Sequence, residues 1–383
     1  MKKILVISNN YPPYFDGISF YTKNLCSELS NNGYEIKSLN FNRDTSMEAF
    51  NFLDLFYTKP TKNSYYSLFN ILNPFTLFNN EKGFRNYVFT NMVFRISNKM
   101  IRDFKPDLIH VIYPRLFSAV VNSKIPIVFT AHSEEIKDSY PVKSVLQRAN
   151  AIICVSNYTA QLVQNIDKST KDKITVVSNS INVSQYKSIS NQYIQRENLI
   201  ISVGRLSKEK NLDTAILAFS KLSKEIRDKY KYYIIGGGKE KKNLQNLVKK
   251  LKLTDSIKFF GNVDENKKIT LLSRSKYFLL CPRIKKKEEE GFGIAFLEAH
   301  AAGLPIVTSK IGGIRDAVGD VGVYIDNPED PMQISRALTK LITDDELAVE
   351  LAIKGSIRVE NFDHRIWINK IKKLYDELIY SKI

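Results

Sequence analysis

The sequence predicts an α/β protein made of two consecutive doubly wound domains. Three features lead to this. Short apolar runs rich in β-branched residues recur along the chain, helix-periodic segments alternate with them, and the series restarts after a polar stretch near the middle. Such alternation makes parallel sheets with helices on both faces. The length of 383 residues fits two domains.

The first series opens with an apolar run over 3–8, a loop holding prolines and a glycine, and a helical pattern from Ile18 that carries Leu25 and Leu29. Further strands are expected at 108–112, 127–130 and 151–155. The second series has expected strands at 199–203, 232–235, 257–260, 277–280 and 305–308, with helices such as 212–222 and 239–251 between them. Residues 184–197 show no hydrophobic periodicity and read as a linker. The expected domains are therefore 1–183, joined by a C-terminal helix within 362–383, and 184–361. Residues 50–104 interrupt the first series with many Phe, Tyr, Lys and Arg. They suit an insertion packed on the first sheet, or a surface for a membrane or an acceptor.

Composition narrows the class. Hydrophobic residues make up 43%, enough for a core. The three cysteines, Cys26, Cys154 and Cys281, lie far apart, which argues against a disulfide framework or a zinc site. The opening apolar run is too short for a signal peptide, and no stretch is long enough to span a bilayer, so a cytoplasmic protein is expected. The net charge of +17 is spread over both halves, with 22 basic against 14 acidic residues in 1–187 and 35 against 26 after it. No nucleic-acid-binding motif accompanies it, so no nucleic acid partner is expected. Phosphorylated substrates or an anionic membrane surface, bound peripherally on the cytoplasmic face, fit the charge, as does a compositional bias toward lysine and asparagine with solvated charges.

The block Glu290-Gly-Phe-Gly-Ile-Ala-Phe-Leu-Glu298 carries the chemistry. Its glycines permit close backbone approach to a ligand. Residues 294–302 read as a helix, whose first N–H groups form an anion site suited to a diphosphate. Glu298, one turn in, can accept hydrogen bonds from vicinal hydroxyls such as those of a ribose, and Glu290 can meet a sugar ring. Arg205 and Lys210 follow an expected strand at the carboxyl edge of the second sheet, where open α/β sheets bind ligands. Arginine offers phosphate oxygens a planar fork and lysine a mobile point charge.

With these motifs the chain resembles the retaining glycosyltransferases of family 4. The resemblance runs through Tyr11-Pro-Pro with Gly17, Thr130-Ala-His132, Val155-Ser156, Val177-Ser-Asn179, Gly204-Arg205 with Lys210, Gly236-Gly-Gly238 and Phe260-Gly261. It continues through Glu290 to Glu298, Ala301-Ala-Gly-Leu-Pro305 and Gly312-Gly313. It implies the GT-B fold: two Rossmann-like domains facing a cleft, with a C-terminal helix near 366–380 crossing back to the first.

The resemblance also implies roles. Arg205 and Lys210 would neutralise the leaving diphosphate, and Glu298 would bind the ribose. Glu290, with the backbone of Gly291, Phe292, Gly293 and Ile294, would hold the donor sugar. Gly17, in the loop after the first strand, would let backbone approach the phosphates. His132 would stand beside the reacting sugar, and the base would be read near Gly261 to Val263. The expected reaction is transfer with retention from a nucleotide-diphosphate sugar, UDP-linked in preference to GDP-linked, to a glycan or lipid-linked acceptor in cell-surface polysaccharide synthesis. No metal and no cofactor are expected, since two cations and a helix N-terminus can balance the diphosphate.

The sequence departs from the family pattern in places. Asp16-Gly17 stands for Gly-Gly, Asn179-Ser180 for Asn-Gly, Asn182 for Asp, and His132-Ser133 for His-Asp followed by Glu134 and Glu135. The segment Arg283 to Glu290 reads as a solvated charged loop or a basic loop meeting an anionic acceptor. His110 and His300 read as core residues, and Asp363 as a helix cap beside His364. A nucleotide-sugar epimerase and a nucleotide-sugar-binding scaffold would use parts of the same set.

Overall fold

The computed structural model describes residues 1–8, 17–41, 66–68, 94–120, 123–133, 136, 140–190, 196–284 and 289–380. The opening Tyr11-Pro-Pro, Asp16, Glu134, Glu135, most of 50–104 and the lysines at 285–287 lie outside these residues. The chain forms two compact units, one of residues 1–177 and 368–383, the other of residues 178–367.

In the first unit, seven parallel strands form one sheet. They are β1 (Lys3–Ser8), β2 (Glu35–Phe41), β3 (Tyr66–Leu68), β4 (Leu108–Val111), β5 (Ile127–Ala131), β6 (Ala151–Cys154) and β7 (Ile174–Val176). The order is β3-β2-β1-β4-β5-β6-β7, so the chain reverses its direction of winding between β1 and β4. Leu5, Ile7, Ile109, Val111, Phe129 and Ile152 alternate onto one face and build its core. The strands β2, β3 and β7 go beyond the sequence reading. Ser38 and Asn40 of β2 are buried and hydrogen-bonded to each other at 2.9 Å, so a buried strand carries polar letters.

The opposite face of this sheet holds a buried polar chain. Tyr21 of helix α1 (Gly17–Asn31) lies 3.2 Å from the Thr130 hydroxyl, and Thr130 lies 2.6 Å from His110 Nε2. His110 Nδ1 lies 2.5 Å from the hydroxyl of Tyr375. A neutral imidazole suits this arrangement, donating from one nitrogen and accepting at the other. Tyr375 belongs to the C-terminal helix His364–Tyr380, whose Asp376 also bonds Lys2 at 2.7 Å and Tyr34 at 2.9 Å. The return of the C-terminal helix to the first unit, expected from the resemblance, is thus built from specific polar contacts. The Asp363 side chain caps the helix start by accepting from the Arg365 N–H at 3.0 Å.

The second unit has six parallel strands: β8 (Leu199–Val203), β9 (Lys231–Ile235), β10 (Ile257–Gly261), β11 (Tyr277–Leu279), β12 (Ile306–Ser309) and β13 (Val323–Ile325). Their order is β10-β9-β8-β11-β12-β13. Winding reverses between β8 and β11, which makes their carboxyl ends the switch point of the sheet.

The stretch read as a linker needs correction. Residues Val183–Ser190 form a helix with Val183 and Tyr186 buried. Two apolar anchors among Ser, Gln and Lys leave too little periodicity to read. The division between units falls at 177/178 and 367/368, against the 183/184 and 361/362 read from sequence. Among the described residues, no helix is long and apolar enough to cross a membrane.

Burial holds His110 down to about 3, aided by nearby His132, and holds His300 of the second unit down to about 3, aided by the Arg358 charge. An unfolded chain takes up protons at these sites below about 6.5, whereas the folded chain does not. The contribution of these histidines to stability should therefore be level above pH 6.5 and fall as pH drops toward 3, by up to about 1.4 kcal/mol per pH unit for each histidine. Urea unfolding midpoints at pH 7.5 and pH 5 check this; equal midpoints would contradict it.

Candidate functional site

The carboxyl ends of β8 and β11 bring two of the predicted residues, Lys210 and Glu290, together. After β8 the chain makes a tight turn through Gly204 and Arg205, then a single 3-10 turn at Lys208–Lys210. Asn211 ends that turn in the left-handed conformation, with φ of 58°. Its amide donates to the carbonyls of Cys281 at 2.9 Å and Pro328 at 2.5 Å, and its oxygen accepts from Thr214 at 2.7 Å. Asparagine tolerates this backbone better than most residues. It bolts the loop carrying Lys210 to the end of β11.

Arg283 adds a second bolt. Its backbone N–H donates to the Glu209 carbonyl at 2.9 Å, its Nε to the Lys208 carbonyl at 2.9 Å, and its guanidinium pairs with Asp213 at 3.0 Å. With its side chain 13% exposed, Arg283 is a structural anchor. This corrects its reading as part of a solvated or acceptor-facing loop: a desolvated guanidinium is held by fixed acceptors.

Across the switch point, Lys210 forms an ion pair with Glu290, and both side chains are largely buried, 17% and 14% exposed. Arg205 stays more open, at 46%, and pairs with Glu209 at 3.1 Å. Burial opposes the Glu209 charge, but the Ser207 hydroxyl, Arg205 and Lys210 outweigh it and hold this carboxyl below its usual range. The Glu290 backbone is fixed by the loop before helix α11 (Ile314–Val318). Gly313 N–H donates to the Glu290 carbonyl at 2.7 Å. A β-carbon on Gly312, whose φ is +54°, would lie 2.2 Å from that same oxygen.

Gly291 and Phe292 are buried, and the Phe292 ring packs 5.8 Å from that of Phe362, so only their backbone remains for a ligand. Gly293, at φ 87°, then opens helix α10 (Ile294–Ala301) without a side-chain cap. In its first turn the Phe296 N–H donates to the Gly293 carbonyl at 3.0 Å, and the backbone N–H groups at this end stand where the sequence reading expects an anion. Glu298 lies one turn in and is nearly buried. It does not stand alone: Lys268, on helix α9 (Glu265–Arg274), reaches it at 2.5 Å. Val263 precedes α9 at the carboxyl end of β10, two strands from β8.

Two predicted residues belong to the first unit and are described there. Gly17 is the first residue of α1, not a loop residue. Its φ is not positive and a β-carbon on it would meet nothing within 4 Å, so its backbone does not require glycine. His132 follows β5 and meets the Tyr21 ring edge-on at 4.8 Å between centroids. Burial holds its imidazolium down to about 3, so it is neutral near pH 7.

Asn211, Arg283 and Lys268 were not singled out as site-building residues from sequence. The preference of asparagine for left-handed turns marks the first. The other two pair with carboxylates distant in the chain, which the sequence alone does not reveal.

Comparison with known proteins agrees with the geometry. The profile described as Glycosyltransferase Family 4 matches residues 15–185, and that described as Glycosyl transferases group 1 matches residues 186–357. An uncharacterised glycosyltransferase of Methanocaldococcus jannaschii is 24% identical, covering 98% of both chains. The N-acetyl-alpha-D-glucosaminyl L-malate synthase of Bacillus anthracis is 26% identical over 71% of this chain and 72% of its own. The O-antigen chain mannosyltransferase RfbU of Salmonella typhimurium is 28% identical over 52% and 53%. Among solved structures, sucrose-phosphate synthase of Thermosynechococcus elongatus superposes with a TM-score of 0.78 at 17% identity over all of both chains. HepE of Anabaena, solved with UDP and glucose, gives 0.72 at 16% identity over 98% of this chain and 100% of its own. These structural likenesses establish the GT-B fold.

Gly312→Ala should destabilise the second unit by about 1–3 kcal/mol, because it adds left-handed strain and a backbone clash. Chemical unfolding checks this, and an unchanged midpoint would contradict the account of the Glu290 support.

Proposed function

We propose, from the premise that this chain is a family 4 glycosyltransferase of the glycosyl transferases group 1, that it moves a sugar with retention from a nucleotide-diphosphate sugar to a glycan or lipid-linked acceptor. The observation that carries this reading is the Lys210–Glu290 pair at the β8/β11 switch point, beside the N-terminus of α10.

The chemistry follows from charge. The bond between the sugar's anomeric carbon and the β-phosphate oxygen breaks, leaving negative charge on the diphosphate and positive charge on the sugar. Lys210, Arg205 and the α10 N–H groups meet the negative charge. When a diphosphate takes up Lys210, Glu290 exchanges its lysine partner for a sugar hydroxyl. The acceptor hydroxyl attacks the anomeric carbon from the face the diphosphate leaves, and its proton passes to a departing diphosphate oxygen.

UDP is the favoured nucleotide, supported by the similarity to HepE, which was solved with UDP and glucose. The relative named O-antigen chain mannosyltransferase supports an acceptor in surface polysaccharide synthesis. The roles assigned to Lys210, Arg205 and the α10 N–H groups support a reading of catalysis without a metal.

A panel of UDP-, GDP- and ADP-sugars tests the reading. Transfer should occur from a UDP-sugar, give a product with the donor's anomeric configuration, and persist in EDTA. Glu290→Ala should lower it by about 100-fold or more, on the scale seen when a transition-state contact is removed. An inverted product, or no turnover with any donor, would contradict it.

A further inference from the structure

The second unit contains a buried charge cluster beyond Lys210 and Glu290. Helices Val183–Ser190, α9 and α10 pack together, and each contributes one polar member or more. Lys268 of α9 lies 2.5 Å from Glu298 Oε1 and 2.8 Å from Glu265 Oε2. Tyr186 donates its hydroxyl to Glu265 Oε1 at 2.7 Å. The Lys268 side chain is 13% exposed and that of Glu298 9%. Burial opposes the lysine's charge, yet Glu298 and Glu265 outweigh it and hold its pKa above the ordinary value.

A lysine held between two carboxylates is a costly arrangement for stability alone. Apolar residues of similar volume would fill the space at least as well. What the cation supplies is a fixed carboxylate. Glutamate has three rotatable bonds, and an unheld carboxylate can rotate away from a ligand. Lysine bound to Oε1 removes that freedom. It also separates two carboxylates whose charges would otherwise repel as a diphosphate approaches.

We propose that Lys268 is a positioning residue for nucleotide recognition: it holds the Glu298 carboxylate for the ribose hydroxyls and so sets the preference for ribonucleotides over deoxyribonucleotides. This rests on the reading of Glu298 as the ribose contact. Lys268 acts through Glu298, so its removal acts on the sugar of the nucleotide and leaves the diphosphate contacts in place.

Calorimetric binding of UDP and of 2′,3′-dideoxy-UDP to the full chain tests this, with GDP and ADP pairs if UDP does not bind. The wild type should prefer the ribonucleotide by about tenfold or more, as expected for hydrogen bonds to a charged acceptor. Lys268→Met should bring the ratio to within about threefold of unity by weakening the ribonucleotide selectively, and Lys268→Arg should retain most of it. Should Lys268→Met fail to fold, the double variant Lys268→Met/Glu265→Met, which leaves one carboxylate in the cluster in place of two, should show the same loss.

A wild-type ratio in Lys268→Met or the double variant, or equal weakening of both ligands, would overturn the proposal. Glu298→Gln separates the two levels. If it keeps the wild-type ratio, the ribose role of Glu298 is wrong. If it loses the ratio while the Lys268 variants keep it, only the role of Lys268 is wrong.

Discussion

The ion pair between Lys210 and Glu290 is the contact around which the second unit's site is organised. It joins the loop leaving β8 to the loop that follows β11, the two segments that diverge at the switch point of the sheet. A pair of charges withdrawn from water is favourable only when geometry and further hydrogen bonds compensate the desolvation. The surrounding chain supplies that geometry. Asn211 and Arg283 fasten the lysine loop to the end of β11, and the backbone at Gly312 and Gly313 fastens Glu290. Lys210 is thus held in place before any ligand arrives, with the Glu290 carboxylate as its partner.

The first unit meets a similar constraint differently. Its sheet is covered on both faces, and one face carries a polar chain from Tyr21 through Thr130 and His110 to Tyr375. Each buried member has a partner, which avoids the cost of an unsatisfied group. The chain ties α1, two strands and the C-terminal helix together, next to the segment bearing His132. The protein therefore gains its return helix through hydrogen bonds and an Asp376 cluster as well as through apolar contact.

The fold was largely legible because parallel strands buried on both faces must be apolar runs. Residues 3–8 and 199–203 emerged with the bounds read from sequence. β2 escaped because it buries Ser38 and Asn40, hydrogen-bonded to each other, inside the sheet, so its burial leaves no apolar run. Residues 183–190 escaped because a surface helix can rest on two anchors. The site was legible where a motif is contiguous, as from Glu290 to Glu298. Its supports were not, because Lys268 and Arg283 find their partners through the third dimension. Gly17 was misplaced for a related reason: a glycine a few residues after two prolines reads as part of their loop, yet here it starts a helix.

The central claim is that Lys210 is the diphosphate cation and Glu290 its resting counter-ion. The affinity of UDP, without a sugar, for Lys210→Met and Glu290→Gln tests this most directly. The account predicts a loss of about tenfold or more for Lys210→Met, the scale of a charge-assisted hydrogen bond, and no loss for Glu290→Gln, since that change releases the lysine. Wild-type UDP affinity in Lys210→Met, or a matching loss in Glu290→Gln, would contradict it.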